Sequence, residues 1–234
     1  MRPTDRRFSG IRVAAGLVLC AWAGLFWFLL ASDRTSLYLS GRTAWLVPVG
    51  AVLATIAGIG RLASARVPHP EPLGARETWV LGGIVLPVVL LIALPPATLD
   101  SFAVRQRSAS TGIGSSARIV DGPIDLVDVA AAQAVAEAEQ ALRARAGERV
   151  TLDGFVTQDP GEADRFRLTR FVITCCVADA TISSVTVVDA PPGSFATDRW
   201  VRVTGPIYPL GGNVFVQAES VRQIEQPADP YLTP

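Results

Sequence analysis

The sequence predicts a membrane α-helical anchor followed by a small all-β domain. Three observations carry this expectation. The first hundred residues contain three long apolar runs. Past Gly147 the spacing of apolar residues changes from the helical 3.6 to the strand period of 2. Gly154 and Gly205 interrupt two of the strand patterns, where a bulge or sharp bend is expected.

Half of the 234 residues are hydrophobic, and their uneven distribution separates anchor from domain. The charges balance at 21 Arg, with no Lys, against 21 Asp and Glu. That balance conceals two halves: residues 1–147 carry 14 Arg and 10 acids, a net +4, and residues 148–234 carry 7 Arg and 11 acids, a net −4. An acidic C-terminal half disfavours a polyanionic partner, so no nucleic acid is expected.

Residues 1–97 are read as the anchor, with membrane lipid as its surroundings. Ile11 to Ala31 is 21 residues long with Arg12 as its one charge, enough at about 1.5 Å per residue to cross a hydrocarbon core of roughly 30 Å. Ala44 to Gly60 and Trp79 to Leu94 contain no charge, and their flanks extend them. The predicted spans are therefore about 11–31, 44–60 and 79–94. Arg2, Arg6, Arg7 and Arg12 place the N-terminus in the cytoplasm, and Arg61, Arg66 and Arg76 return the second connection to that side. A multi-pass protein of the cell membrane with an extracytoplasmic C-terminal domain follows. The rival reading of Ile11–Ala31, a cleaved signal peptide, suffers from an overlong apolar core and a poor cleavage site at Ala31-Ser32-Asp33. Trp45 and Trp79 suit the interface, Pro48 falls in a first helical turn, and Pro87 predicts a kink. Thr55 and Cys20 are the sole polar candidates within the runs, so the anchor lacks the intramembrane acids, bases and histidines of a transport path.

Pro95-Pro96 ends the third helix, and residues 98–123 read as a Ser- and Gly-rich linker. The predicted domain is 124–234. A linker helix over Ile124–Ala146 starts at an Asp125 or Asp128 cap, ends at Gly147, and carries the stripe Val127, Ala131, Val135, Ala138, Leu142. Alternating strands then follow at Val150–Val156, Phe166–Thr174, Val185–Val188, Val201–Ile207 and Val214–Gln217, with a Pro-Pro-Gly loop after Asp189. Five short strands, bent at the first and fourth, suggest a five-stranded OB-like barrel.

The chemistry concentrates at Cys175-Cys176-x-x-Asp179. In an extended strand neighbouring thiols point apart, so joint use of both sulfurs requires a turn at this point. Thiolates favour soft or borderline ions such as zinc or copper(I), and Asp179 adds a carboxylate, a set of three metal ligands. The competing readings are a buried structural pair, a strained vicinal disulfide with redox chemistry, and a partner contact, with Asp179 simply capping a turn. No phosphate loop, G-x-S-x-G or H-E-x-x-H is present. The single histidine, His69, belongs to a cytoplasmic loop, so no enzyme is expected. Phe155, Trp200 and Phe215 are the aromatic residues that an envelope-polymer groove would use, and core packing explains them more simply.

The run Arg170-Phe171-Val172-Ile173-Thr174-Cys175-Cys176-Val177-Ala178-Asp179-Ala180 resembles the signature of the YcgQ-like bacterial membrane proteins. Gly154-Phe155-Val156, Trp200 to Gly205, Pro95-Pro96 and Pro227-Ala228-Asp229-Pro230-Tyr231 support the likeness. Members of that family are typically encoded beside a polytopic permease, and some are associated with zinc-responsive genes. The resemblance therefore implies an accessory permease subunit with a metal connection. It departs at Tyr38-Leu39-Ser40-Gly41-Arg42, where relatives often carry a His-Pro pair after the tyrosine, and no ligand is expected from that junction.

Overall fold

A computed structural model describes residues 7–68, 72–94, 98–106, 122–157, 165–190 and 195–233. Pro95-Pro96, His69, residues 107–121 of the expected linker and the Pro-Pro-Gly segment lie outside the described residues. The chain forms two compact units, one of residues 1–35 and 43–97, the other of residues 36–42 and 98–234.

The first unit consists of three helices long and apolar enough to cross a membrane, α1 (Gly10–Ala31), α2 (Leu46–Ala63) and α3 (Ala75–Ala93). α2 and α3 extend beyond the uncharged runs into turns that carry Arg61, Arg76 and Glu77, charged residues tolerated because helix ends reach the wet interface. Glu77 also sits in the first turn of α3, the favourable end of its dipole. α1 and α2 approach closely because both are glycine at the crossing. A Cβ at Gly58 would lie 2.8 Å from the Cys20 sulfur, and one at Gly16 would lie 2.7 Å from Leu62. Thr55 is committed within the bundle: its hydroxyl donates to the Ala51 carbonyl at 2.7 Å and accepts from the Trp27 indole at 3.2 Å. Trp22 donates to the Ile84 carbonyl, a turn before Pro87. A short ladder pairs β1 (Arg7–Phe8) with β2 (Arg66–Val67), and the Arg66 guanidinium lies 5.0 Å above the Phe8 ring.

The second unit holds a closed barrel of β3 (Arg149–Thr157), β4 (Phe166–Val172), β5 (Thr181–Val188), β6 (Trp200–Leu210) and β7 (Asn213–Gln217). The strand order is β3-β4-β5-β7-β6, closed by β3 on β6, with β5–β7 the single parallel pair of the barrel. This is the five-stranded OB arrangement that the bent first and fourth strands predict. The bends have a steric cause. A Cβ at Gly154 would stand 2.7 Å from the Thr169 carbonyl, and one at Gly205 would overlap the Gln217 carbonyl. A further strand absent from the sequence reading, β8 (Ser220–Gln223), pairs with β6. Leu152, Val156, Leu168, Val185, Val187, Val201, Val203, Ile207 and Val216 fill the interior. Each contributes about 1.5–3 kcal/mol by leaving water.

The single helix expected over 124–146 is two, α5 (Leu126–Ala134) and α6 (Ala136–Ala144), hinged at an extended Val135. The reason is geometric. Val129 and Leu142 are 13 residues apart, about 220° around a straight helix at 3.6 residues per turn, yet both are completely buried. The hinge lets both face the barrel. Asp125 and Asp128 together form a capping box at the start of α5. The start of the expected linker folds into this unit as well: α4 (Ser101–Gln106) is fixed by Ser101, whose amide and hydroxyl donate to Asp198, and Leu99, Ala103 and Val104 pack on a second cluster of Phe155, Phe171, Ile173, Ala180 and Tyr231.

The close approach at Gly205 yields a stability prediction. Gly205→Ala destabilises the barrel by about 1–3 kcal/mol through overpacking, a fall of several degrees in the thermal midpoint of the detergent-solubilised protein. Gly122→Ala, whose Cβ would meet nothing within 4 Å, leaves the midpoint unchanged.

Candidate metal centre

β4 and β5 form an antiparallel hairpin from Phe166 opposite Val187 to Val172 opposite Thr181. The connection at its far end carries both thiols. Ile173 and Ala180 bury their side chains in the second cluster on either side of the connection, and the chain between them turns outward. Thr174 and Cys175 are exposed and Cys176 is half-buried, heading a 3₁₀ turn over Val177–Asp179. The strand alternation that would send the sulfurs to opposite faces stops at Ile173, because the Asp179 carboxylate gathers the backbone of the turn. Its oxygens accept from the amides of Thr174 at 3.0 Å, Cys175 at 2.8 Å and Cys176 at 3.4 Å. Asp179 therefore does cap a turn, and in doing so brings the sulfurs together.

The two Sγ atoms stand 3.6 Å apart, the Cys175 thiol donating to the Cys176 sulfur. With Asp179 they form the one group of at least three His, Cys, Asp or Glu ligands, among the described residues, whose donor atoms lie within 4.8 Å of one another. Metal–thiolate bonds of about 2.3 Å at a tetrahedral angle require sulfurs about 3.8 Å apart, which the pair already satisfies. A disulfide would need about 2.05 Å. The electrostatics agree. Hydrogen bonding to Asp179, then to Cys176, pushes the Cys175 thiol up to about 12. Partial burial acts to raise the Asp179 carboxyl, but the Cys175 thiol and the three turn amides outweigh it and hold it below its ordinary value. The turn thus holds the Cys175 thiol protonated beside a carboxylate. A thiol held in this way is a poor nucleophile at neutral pH.

Two further segments frame the turn. The C-terminal tail runs beside the end of β4: the Leu232 amide donates to the Phe171 carbonyl and the Ile173 amide to that of Leu232, each at 2.9 Å. Arg170 holds this tail by donating to the carbonyls of Asp229 and Pro230, and lies 5.5 Å over the Trp200 ring. Tyr231 is buried, and its hydroxyl accepts from the Leu99 amide. Phe155 is buried too, stacked at 5.9 Å from Phe171, and so is not part of an open aromatic groove. The second segment, Tyr38-Leu39-Ser40, was missed as part of the site. Leu39 pairs with Cys176 in an antiparallel bridge, and Ser40 is buried against Thr174 and Cys175.

Residues 119–234 match the model of the DUF1980 C-terminal domain. No curated protein matches the chain. The DUF1980 match spans both helices α5 and α6, the barrel, the two thiols, Asp179 and the tail. It leaves out residues 36–42 and 98–106, which belong to the same compact unit.

Removing the charge that disfavours the thiolate should release it. Asp179→Asn is expected to make Cys175 at least about fivefold faster toward iodoacetamide at pH 8.5 than the native turn, measured by peptide mass spectrometry. Unchanged alkylation would separate Asp179 from the thiols.

Proposed function

We propose that this chain is a non-enzymatic, membrane-anchored accessory subunit of a cytoplasmic-membrane permease that holds a soft metal ion, zinc or copper(I), at Cys175, Cys176 and Asp179. The observation that carries the metal reading is the pre-set sulfur separation of 3.6 Å beside a carboxylate. Three protein ligands leave a coordination position for water or for a group from a partner. The raised Cys175 thiol weighs against the rival, a thiol–disulfide protein of the envelope in which Cys175 attacks, because exchange needs a thiolate at ambient pH.

The permease association rests on the likeness to YcgQ-like proteins, and the anchor is compatible with it. Three helices whose apolar runs hold no acid or histidine offer little for a conduction path of their own, so a transport role requires a partner. Sidedness has two supports. The arginines around the N-terminus favour a cytoplasmic start. Residues 36–42, between the first two spans, fold into the same compact unit as residues 98–234. A loop after one crossing and a tail after three share a side, so a cytoplasmic start would put both outside.

The metal reading is tested on the full chain in detergent. Addition of Cd²⁺ or Zn²⁺ to the reduced protein should give one equivalent bound, with Cd²⁺ producing thiolate-to-metal absorption in the ultraviolet. Cys175→Ser/Cys176→Ser should abolish both. Because binding releases thiol protons, apparent affinity should rise about tenfold per pH unit for each proton released below neutral pH. Identical metal content in the native and double-serine proteins would refute the site. Co-purification from native membranes tests the other half: the expected result is recovery with a polytopic partner, and a lone monomer in mild detergent would refute it.

A further inference from the structure

We propose that residues 36–42, the loop joining the first two membrane spans, are a strap that positions the thiol pair, so that cation binding at Cys175 and Cys176 is coupled to that loop. The inference rests on the metal reading and adds its regulation.

The strap is bonded to the same backbone that carries the sulfurs. The Ser40 amide donates to the Cys175 carbonyl at 3.1 Å, and the Ser40 hydroxyl to the Thr174 carbonyl at 2.9 Å. In the other direction the Val177 amide donates to the Tyr38 carbonyl at 2.9 Å. Ser36 anchors the entry to the strap on the Ala228 carbonyl at 2.9 Å. Asp179 takes the amides of 174–176 from one side, while the strap takes carbonyls of 174 and 175 and the amide of 177. The conformation that holds the sulfurs 3.6 Å apart is therefore determined by both. Ser40, 2% exposed, is a positioning residue here and touches no cation.

The strap is also short-leashed. α1 ends at Ala31 and α2 begins at Leu46, so Ser36 and Arg42 lie five and four residues from a membrane span. Even fully extended these links reach about 18 and 14 Å. Coupling between the strap and the cation is reciprocal: whatever orders the strap against the thiol turn raises cation affinity by the same factor.

Hydrogen exchange of the full-length protein in nanodiscs, read by mass spectrometry with and without saturating Cd²⁺, tests this. Exchange in peptides covering residues 36–42 and 172–178 should slow at least about fivefold on Cd²⁺ addition, and Cys175→Ser/Cys176→Ser should remove the effect. A loop with a purely structural role would exchange at the same rate with and without the cation. Cd–thiolate absorption with unchanged exchange at 36–42 overturns the coupling and leaves the metal site standing. No absorption at all removes the metal reading and this inference with it. As a second arm, Ser40→Ala should weaken Cd²⁺ binding at least about fivefold while keeping the absorption band, and unchanged affinity overturns the positioning role of Ser40.

Discussion

The candidate site depends on one arrangement, a single carboxylate accepting three consecutive backbone amides. Asp179 converts the end of the β4–β5 hairpin from a strand that would splay its two thiols into a turn that brings them together. Hydrogen bonds to a charged acceptor are worth about 1.5–3 kcal/mol each where they are sheltered. Here the turn is exposed, so the carboxylate alone does not hold it. Ile173 and Ala180 pin its two ends into an apolar cluster, the tail at Leu232 flanks one side, and the strap at Leu39 and Ser40 flanks the other. The surrounding unit supplies rigidity, and the carboxylate supplies the local shape.

The membrane unit shows the complementary economy. Thr55 bonds to Trp27 and Ala51, and Trp22 to the Ile84 carbonyl, while Gly16 and Gly58 let α1 pack against α2. Large apolar residues such as Trp79, Ile56, Leu53 and Ile92 remain exposed, as befits helices facing hydrocarbon or other helices. The candidate ligands Cys175, Cys176 and Asp179 lie in the other unit.

The anchor and the barrel were legible in the sequence because each writes a strong periodic signal: long uncharged runs for spans, alternation with mid-strand glycines for bent strands. Gly154 and Gly205 were especially informative, since a missing side chain inside a β pattern marks a close backbone approach, and both glycines face a carbonyl. The thiol pair and Asp179 were legible as a cluster from spacing alone. What was not legible was long-range. The hinge at Val135 follows from the need to bury Val129 and Leu142 on one surface, a tertiary demand that local propensity does not encode. Arg170 spends its donors on carbonyls of residues 229 and 230, some 60 positions away. The strap lies more than 130 residues from the cysteines it holds, and nothing in Tyr38-Leu39-Ser40 marks it as a partner.

If the turn takes a cation as proposed, the lone pairs of Asp179 favour an exchangeable one over a permanent one. A carboxylate offers about four acceptor positions. Three are taken by amides, and the remaining one faces the Cys175 thiol. On the proposed reading, Cys175 and Cys176 would hold the ion as thiolates, each giving up its proton to solvent, and Asp179 would add a carboxylate oxygen. Since Cys175 is exposed and three protein ligands converge among the described residues, an ion held there would be open to solvent, and reprotonation or a competing ligand would release it.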